Sequence, residues 1–414
     1  MNAPRQISAR TFAALKVRNF RLYFLGQLIS TSGTWMQSVA QGWLILQLTG
    51  SSVDLGIAIA LQYVPILLVG SYGGVVADRY QKRRILYATQ SGAGLLALVL
   101  GVLVTSGHAT VDWVYVIAAL LGLVNLFDVP ARQAFVQEMV GRDLIANAVS
   151  LNSVLMNSGR LVGPAVAATV IALFGTATCF YVNAVSYVAV IVALAMMRSR
   201  EFLPMRTVTR EARQVRIGLA YVWHTPLLRH VVAAVAAVGT VAFNFTVTLP
   251  LLAHTTFHQR SATHYGILMA AMGLGAVIGG LYVAHRARPT PKLLAALALG
   301  FGTFLTLVAF SPTLLWAEIL LVPSGAFAIA FVSTGNAMLQ LNSSEEMRGR
   351  VMSLYGTAFL GSTPIGAPLV GLLIAATNPR IGLFAGALVT LLTAVGLLAT
   401  LRQSMASHEA LQTV

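Results

Sequence analysis

Gly73-Gly74-Val75-Val76-Ala77-Asp78-Arg79-Tyr80-Gln81-Lys82-Arg83-Arg84 links two apolar runs, Val53 to Ala77 and Ile85 to Ser106. Each run offers the roughly 20 residues that a helix needs to cross a bilayer, where every backbone N–H and C=O must be satisfied within its own segment. The basic side chains between them cannot stay in hydrocarbon, so the chain must cross, turn in water and cross back. The same pattern extends outward in both directions. Phe20 to Leu48 precedes the pair, and Trp113 to Val136, Ala146 to Phe174 and Ala177 to Met197 follow it. Six more runs come after a longer connection: Leu228 to Leu252, Tyr265 to Ala284, Leu293 to Phe310, Leu314 to Leu339, Val351 to Ala376 and Ile381 to Leu401. The sequence therefore predicts an all-α membrane protein of twelve transmembrane helices, with connections too short to hold an extramembrane domain.

Composition excludes the other classes. Charged residues make up 9% of the 414 and apolar residues 57%, with a mean hydropathy of +0.78, whereas a soluble domain carries about 25% charge. Disorder needs low hydrophobicity, and a disulfide scaffold needs more than the single Cys179. The net charge of +15 does not call for nucleic acid, because basic loops are what membrane topology requires and no aromatic-and-basic recognition module accompanies them. With the N-terminus inside, 24 lysines and arginines fall on the cytoplasmic side, against Arg260 and Arg380 outside, with Arg160 left within a span. Both termini are thus expected in the cytoplasm of a multi-pass protein of the cytoplasmic membrane. No cleavable signal peptide is expected, since the first apolar stretch is too long.

The connection from Arg198 to Leu227 divides the helices six and six, giving an N-terminal half 1–197, a linker 198–227 and a C-terminal half 228–414. The halves echo one another. Gly73-Gly74-Val75-Val76-Ala77-Asp78-Arg79 returns as Gly280-Leu281-Tyr282-Val283-Ala284-His285-Arg286, and Ser150-Leu151 ahead of Gly163 returns as Ser353-Leu354 ahead of Gly366. Two pseudo-symmetric six-helix halves are an architecture of transporters that rock about a site near the midplane. In the linker, Glu211 to Tyr221 alternates apolar positions with Arg213 and Arg216, which fits a short helix on the membrane surface against anionic lipid.

Gly74-Val75-Val76-Ala77-Asp78-Arg79-Tyr80-Gln81-Lys82-Arg83 resembles the loop signature G-x-L-A-D-R-x-G-R-K of the major facilitator superfamily, with Val76 for Leu, Gln81 for Gly and Lys82-Arg83 for Arg-Lys. In the fifth span, Gly159-x3-Gly163-Pro164 followed by Ala167-Ala168 resembles the antiporter signature of its exporters, with alanines for the closing glycines. Four further segments resemble the enterobactin-exporter-like and drug-efflux-like branch: Gly33-Thr34-Trp35-Met36-Gln37, Leu48-Thr49-Gly50-Ser51, Pro130-Ala131-Arg132-Gln133-Ala134-Phe135-Val136 and Gly361-Ser362-Thr363-Pro364-Ile365-Gly366-Ala367. The resemblance implies the major facilitator fold, a monomer, and efflux by alternating access. It also implies a latch on the cytoplasmic side, in which Asp78 meets the start of the eleventh helix and Lys82 pairs with Glu138.

Of twelve acidic residues, only Asp128 and Glu318 fall clearly inside predicted spans. An intramembrane charge costs at least about 2.5–3.5 kcal/mol, which makes each a functional candidate whose partner must be named. Asp128 lies about 15 Å deeper than Glu138 by helical rise. Three readings of it stand side by side: proton coupling, an i to i+4 ion pair with Arg132, and direct substrate contact. Glu318 is near the outer interface. Arg160, about 21 Å from the cytoplasmic end of its span by helical rise, needs an anion, a carbonyl or water. Asp128 and an anionic substrate are both candidates. Trp35, Gln37, Gln41, Gln62, Tyr63, Asn125, Asn244 and Asn336 are candidates to line a mixed polar and aromatic cavity. His254, His258 and His264 read as solvated histidines, with no metal-ligand spacing.

No phosphate-binding G-x4-G-K-[ST] loop is present, so an ion gradient is the expected driving force and no cofactor is expected. The leading function is proton-coupled export of a small amphipathic molecule, a siderophore or drug-like compound. Uptake by symport is the alternative within transporters. A membrane-embedded lipid-handling enzyme would need an acid and base or a metal cluster at one depth, which Asp128, Arg132 and the remote Glu318 do not supply.

Overall fold

The computed structural model describes residues 12–203, 214–285 and 289–412, except for the side chains of Ser71, Asp78, Arg142, Gln214, Val215, Leu360 and residues 401–412. The helices are α1 (Arg18–Thr49), α2 (Ser52–Arg79), α3 (Lys82–Thr105), α4 (Val111–Gly141), α5 (Asp143–Phe174) and α6 (Thr176–Met196), then the linker helix α7 (Gln214–His224). They continue with α8 (Pro226–Val241), α9 (Phe245–Leu251), α10 (Ala262–His285), α11 (Pro291–Ala309), α12 (Leu314–Asn342), α13 (Glu345–Leu360), α14 (Thr363–Ala376) and α15 (Pro379–Gln412).

Among the described residues, eleven helical stretches are long and apolar enough to cross a membrane, with Pro226–Thr256 and Glu345–Ala376 each taken as one. The first expected span, α1, is not among them, although its 32 residues give it ample length. Its polar side chains lower its hydropathy, and they have partners inside the protein: Asn183 Nδ2 donates to Gln37 Oε1 at 2.6 Å, and Thr34 Oγ1 lies 3.4 Å from Tyr187 Oη. A helix face packed against other helices can carry polar groups that a lipid-facing surface cannot, and the outward face of α1 carries Leu25 and Ile29.

Local sequence sets the boundaries. Thr110, Thr290 and Thr313 cap α4, α11 and α12, each hydroxyl accepting from the backbone N–H three residues on, and Pro291 opens α11 where its missing N–H costs nothing. The seventh expected span is two helices: α8 stops at Val241, and Asn244 Nδ2 bonds the freed carbonyls of Thr240 at 2.7 Å and Val241 at 3.2 Å. The eleventh, expected from Val351, starts at Glu345 and breaks between Leu360 and Thr363. Phe243 and Phe359, one beside each break, meet edge to face at 5.0 Å. The surface helix expected over Glu211 to Tyr221 is α7, Gln214–His224, and Glu211 to Arg213 lie outside the described residues.

The fourth and fifth expected spans are longer than their apolar runs and meet at Gly141, whose φ of 72° and ψ of −178° suit glycine alone. Leu203 N donates to Glu138 O there at 2.8 Å, and a Cβ on Gly141 would lie 2.8 Å from Leu203 Cδ1. Gly141→Ala should therefore lower stability by about 1–3 kcal/mol, seen as a lower thermal unfolding midpoint in detergent.

The chain forms two compact units, one of Met1–Leu48 with Leu61–Arg210 and one of Thr49–Ala60 with Glu211–Val414. In the first, a buried cluster including Phe20, Tyr23, Phe135, Met139 and Leu194 sits near the basic ends of the helices. In the second, α10 packs on α12 and α11 on α12 and α15, and Ser52 Oγ donates to Gly371 O at 2.8 Å.

Candidate functional site

Among the described residues of the first unit, the most deeply buried charge is Asp128 on α4, 3% exposed. Four residues on, Arg132 falls on the same helical face, and its Nε reaches Asp128 Oδ2 at 2.7 Å. From α3, Thr89 Oγ1 and Gln90 Nε2 donate to Asp128 Oδ1 at 2.8 and 2.7 Å. Arg132 Nη1 in turn donates to Gln27 Oε1 of α1 at 3.2 Å. Three helices thus meet at one carboxylate, and charge-assisted bonds of this kind offset the cost of taking it out of water. Two atoms of the network remain unmet: Gln90 Oε1 and Gln27 Nε2 are buried without a hydrogen-bond partner.

Arg160 does not join this group. Its guanidinium lies over the Trp35 ring, 5.2 Å from the centroid, and among the described residues no carboxylate pairs with it. Gly159 and Gly163 set that contact. A Cβ on Gly159 would lie 2.6 Å from Thr31 Cγ2, and one on Gly163 would lie 2.5 Å from Trp35 Cβ and 2.6 Å from Ser32 O. The antiporter-like stretch is therefore where α5 presses against α1. Pro164 lies inside α5.

The loop signature is built around Lys82 Nζ and Glu138 Oε1, 3.0 Å apart with side-chain exposures of 14% and 17%. Arg83 donates to the C-terminal carbonyls of α6, Leu194 O at 2.6 Å and Ala195 O at 3.3 Å, where the helix dipole favours a cation. Arg79 and Arg84 line a cleft of about 660 Å³ with Lys82, Arg83, Tyr87 and Glu138. Gly74 is buried in α2; the Asp78 side chain lies outside the described ones. Since Lys82 and Glu138 are mostly withdrawn from water, Lys82→Glu alone should destabilise the protein, and adding Glu138→Lys should restore part of the loss. A double-mutant cycle by thermal unfolding should return a coupling of about 0.5–3 kcal/mol.

Of the other candidates, Tyr63 joins Trp35 in the neighbourhood of Arg160, and the rest are dispersed. Gln37 is tied to Asn183, Asn244 serves the α8 break, and Asn336 Oδ1 accepts from Gln340 at 2.6 Å. Gln41 is buried, while Gln62, Tyr63 and Asn125 are half-buried. Glu318 is met by His264 Nδ1 at 3.4 Å, so that histidine, read from sequence as solvated, has a carboxylate partner. Thr89, Gln90 and Gln27 escaped the sequence reading, although Thr89-Gln90 is a polar interruption near the start of an apolar run.

A helical membrane protein with buried charges in its interior and breaks at Val69, Ala242 and Gly361 inside its spans has an architecture found among transporters. The chain matches the transmembrane secretion effector family over residues 9–413 and belongs to it, within the major facilitator superfamily. It is 26% identical to the staphyloferrin A transporter of Staphylococcus aureus, over 85% of this chain and 88% of that one. It is 27% identical to the multidrug efflux pump Tap of Mycolicibacterium fortuitum, over 84% and 88%. Identity to the enterobactin exporter EntS of Escherichia coli is also 27%, over 87% and 86%. In three dimensions it resembles a mutant of the nucleoside transporter NupG, with a TM-score of 0.72 at 12% identity over 93% of this chain and 99% of that one. A bacterial homologue of the human lysosomal transporter Spinster superposes with a TM-score of 0.69 at 15% identity, over 95% and 97%. The protein is thus a multi-pass major facilitator transporter and not an enzyme.

Proposed function

We propose that this protein is a secondary efflux transporter of the cytoplasmic membrane, a monomer with both termini inside, exporting a small amphipathic molecule of siderophore or drug-like kind in exchange for protons. The halves that rock are 1–197 and 228–414, joined by the linker 198–227. The observation that carries the reading is the buried Asp128 network. Asp128 Oδ2 meets Arg132, Oδ1 accepts from Thr89 and Gln90, and Gln90 Oε1 is buried without a partner, so a change of charge on this carboxylate would be felt on both α3 and α4. Protonation would weaken the hold on Arg132, whose bond to Gln27 already points toward α1. Relatedness over 84% and 87% of the chain to proteins named as an efflux pump and an exporter supports the outward direction. In the linker, Ile217, Leu219 and Trp223 of α7 are exposed beside Arg216, which suits a helix resting on anionic lipid.

The test is substrate-induced proton movement in proteoliposomes loaded with a pH-sensitive dye, using a panel of siderophores and drugs, for wild type and Asp128→Asn. Wild type should show substrate-dependent proton flux, and the variant should lose it. Unchanged flux in the variant would make Asp128 a purely structural partner of Arg132. Substrate movement without protons in wild type would overturn antiport.

A further inference from the structure

Arg160 lies near the middle of α5, about 26 Å from Asp143 and about 21 Å from Phe174 by helical rise. Trp35 stands at the corresponding depth of α1. A cation so placed needs an anion or a carbonyl, and each internal candidate is accounted for. Asp128 is taken by Arg132, Thr89 and Gln90, and Glu138 by Lys82. Arg83 and Arg380 also lie over aromatic rings, but both donate to backbone carbonyls. Among the described residues Arg160 has no such acceptor. With Asp128 and Arg132 cancelling, the deep charges of the first unit sum to one positive charge.

We propose that Arg160 and Trp35 form an anion-binding site, so that the molecule this protein moves carries a carboxylate attached to an apolar or aromatic body. The inference rests on the efflux reading above. The Arg160 guanidinium lies over the Trp35 ring, and its N–H groups, with no acceptor among the described residues, suit a two-pronged contact with a pair of oxygens. Gly159 and Gly163 hold α5 against α1 at Thr31, Ser32 and Trp35, so the site is carried on packed helices rather than loops. Moving an anion outward while a proton moves inward displaces charge in one direction, and an inside-negative potential drives both movements. A cationic substrate exchanged for a proton would not have this property.

The test uses a charge series on one aromatic body: 1-naphthoate, 1-naphthamide and 1-naphthylmethylammonium, with citrate as a polycarboxylate lacking a ring. Each is titrated calorimetrically into the full chain in lipid nanodiscs. Naphthoate and citrate should bind at least tenfold more tightly than the amide and the ammonium. Arg160→Gln should abolish that preference and Arg160→Lys should keep part of it, with unfolding midpoints read on the same samples. Because Arg160→Lys keeps the charge, it tests the site even where Arg160→Gln folds poorly. Trp35→Leu should weaken naphthoate more than citrate. Equal or tighter binding of the ammonium by wild type, a preference that survives Arg160→Gln, or no binding of either anion would overturn the proposal. Release of the same probes from proteoliposomes separates this result from the efflux reading. Proton-linked movement of the cation leaves efflux standing and removes the anion site, whereas Arg160-dependent binding of naphthoate without proton-linked movement does the reverse.

Discussion

Asp128→Ala should lower the unfolding free energy by about 3–5 kcal/mol, because it leaves the Arg132 guanidinium buried without its counter-ion. The alanine also removes the acceptor of Thr89 and Gln90, so two neutral donors lose their partner as well. Asp128→Asn keeps an oxygen in place for Thr89 and Gln90 and should cost less. Arg132→Met fails in the opposite sense, by stranding the carboxylate. The double variant Asp128→Asn/Arg132→Met removes both charges at nearly constant volume, and replacement of a buried pair by apolar groups is often neutral. It should therefore be more stable than Arg132→Met alone, and denaturant or thermal unfolding in detergent would measure the difference. Equal loss in the double variant and in the sum of the two singles would mean that the charges do not interact. A double variant that is stable but moves substrate without protons would separate the pair's part in folding from its part in coupling.

How much of this was legible in the sequence depended on the range of the interaction. Spans follow from runs of about 20 apolar residues, and the i to i+4 step from Asp128 to Arg132 follows from helix geometry alone, so both could be read directly. The partner of Lys82 came from resemblance, and the salt bridge to Glu138 is present. Contacts between helices far apart in the chain were not legible: nothing in α3 alone says that Thr89 and Gln90 face Asp128. Hydropathy likewise could not tell that the polar side chains of α1 have partners on α6, because a helix with a polar packed face and a poor membrane helix read alike. The break at Ala242 lies inside a run that reads as continuous, and only the Asn244 side chain that satisfies the freed carbonyls identifies it. Gly141 falls between two expected spans, and its dihedrals show how sharply the chain turns there.

Gly163→Val should be among the most damaging single changes to the first unit. Even the alanine Cβ would come within 2.5 Å of Trp35 Cβ, 2.6 Å of Ser32 O and 3.0 Å of Met36 N. Two of these neighbours are backbone atoms, which no rotamer change can move aside, so α1 and α5 must separate. Overpacking of this kind costs about 1–3 kcal/mol for small additions, and Gly163→Ala should fall in that range with valine above it. Gly159→Ala should cost less, since its nearest contact is a methyl, Thr31 Cγ2 at 2.6 Å, on a side chain that can turn. Gly349→Ala and Gly396→Ala meet nothing within 4 Å and should be neutral or gain up to about 1 kcal/mol, because alanine favours the helix. Unfolding midpoints of the five variants would give this order, and a Gly163→Ala protein as stable as Gly349→Ala would refute the close approach. The same separation draws Trp35 away from Arg160. Gly163→Ala should therefore weaken naphthoate binding with every charged residue intact, a loss that plain electrostatics from a free-standing arginine would not produce.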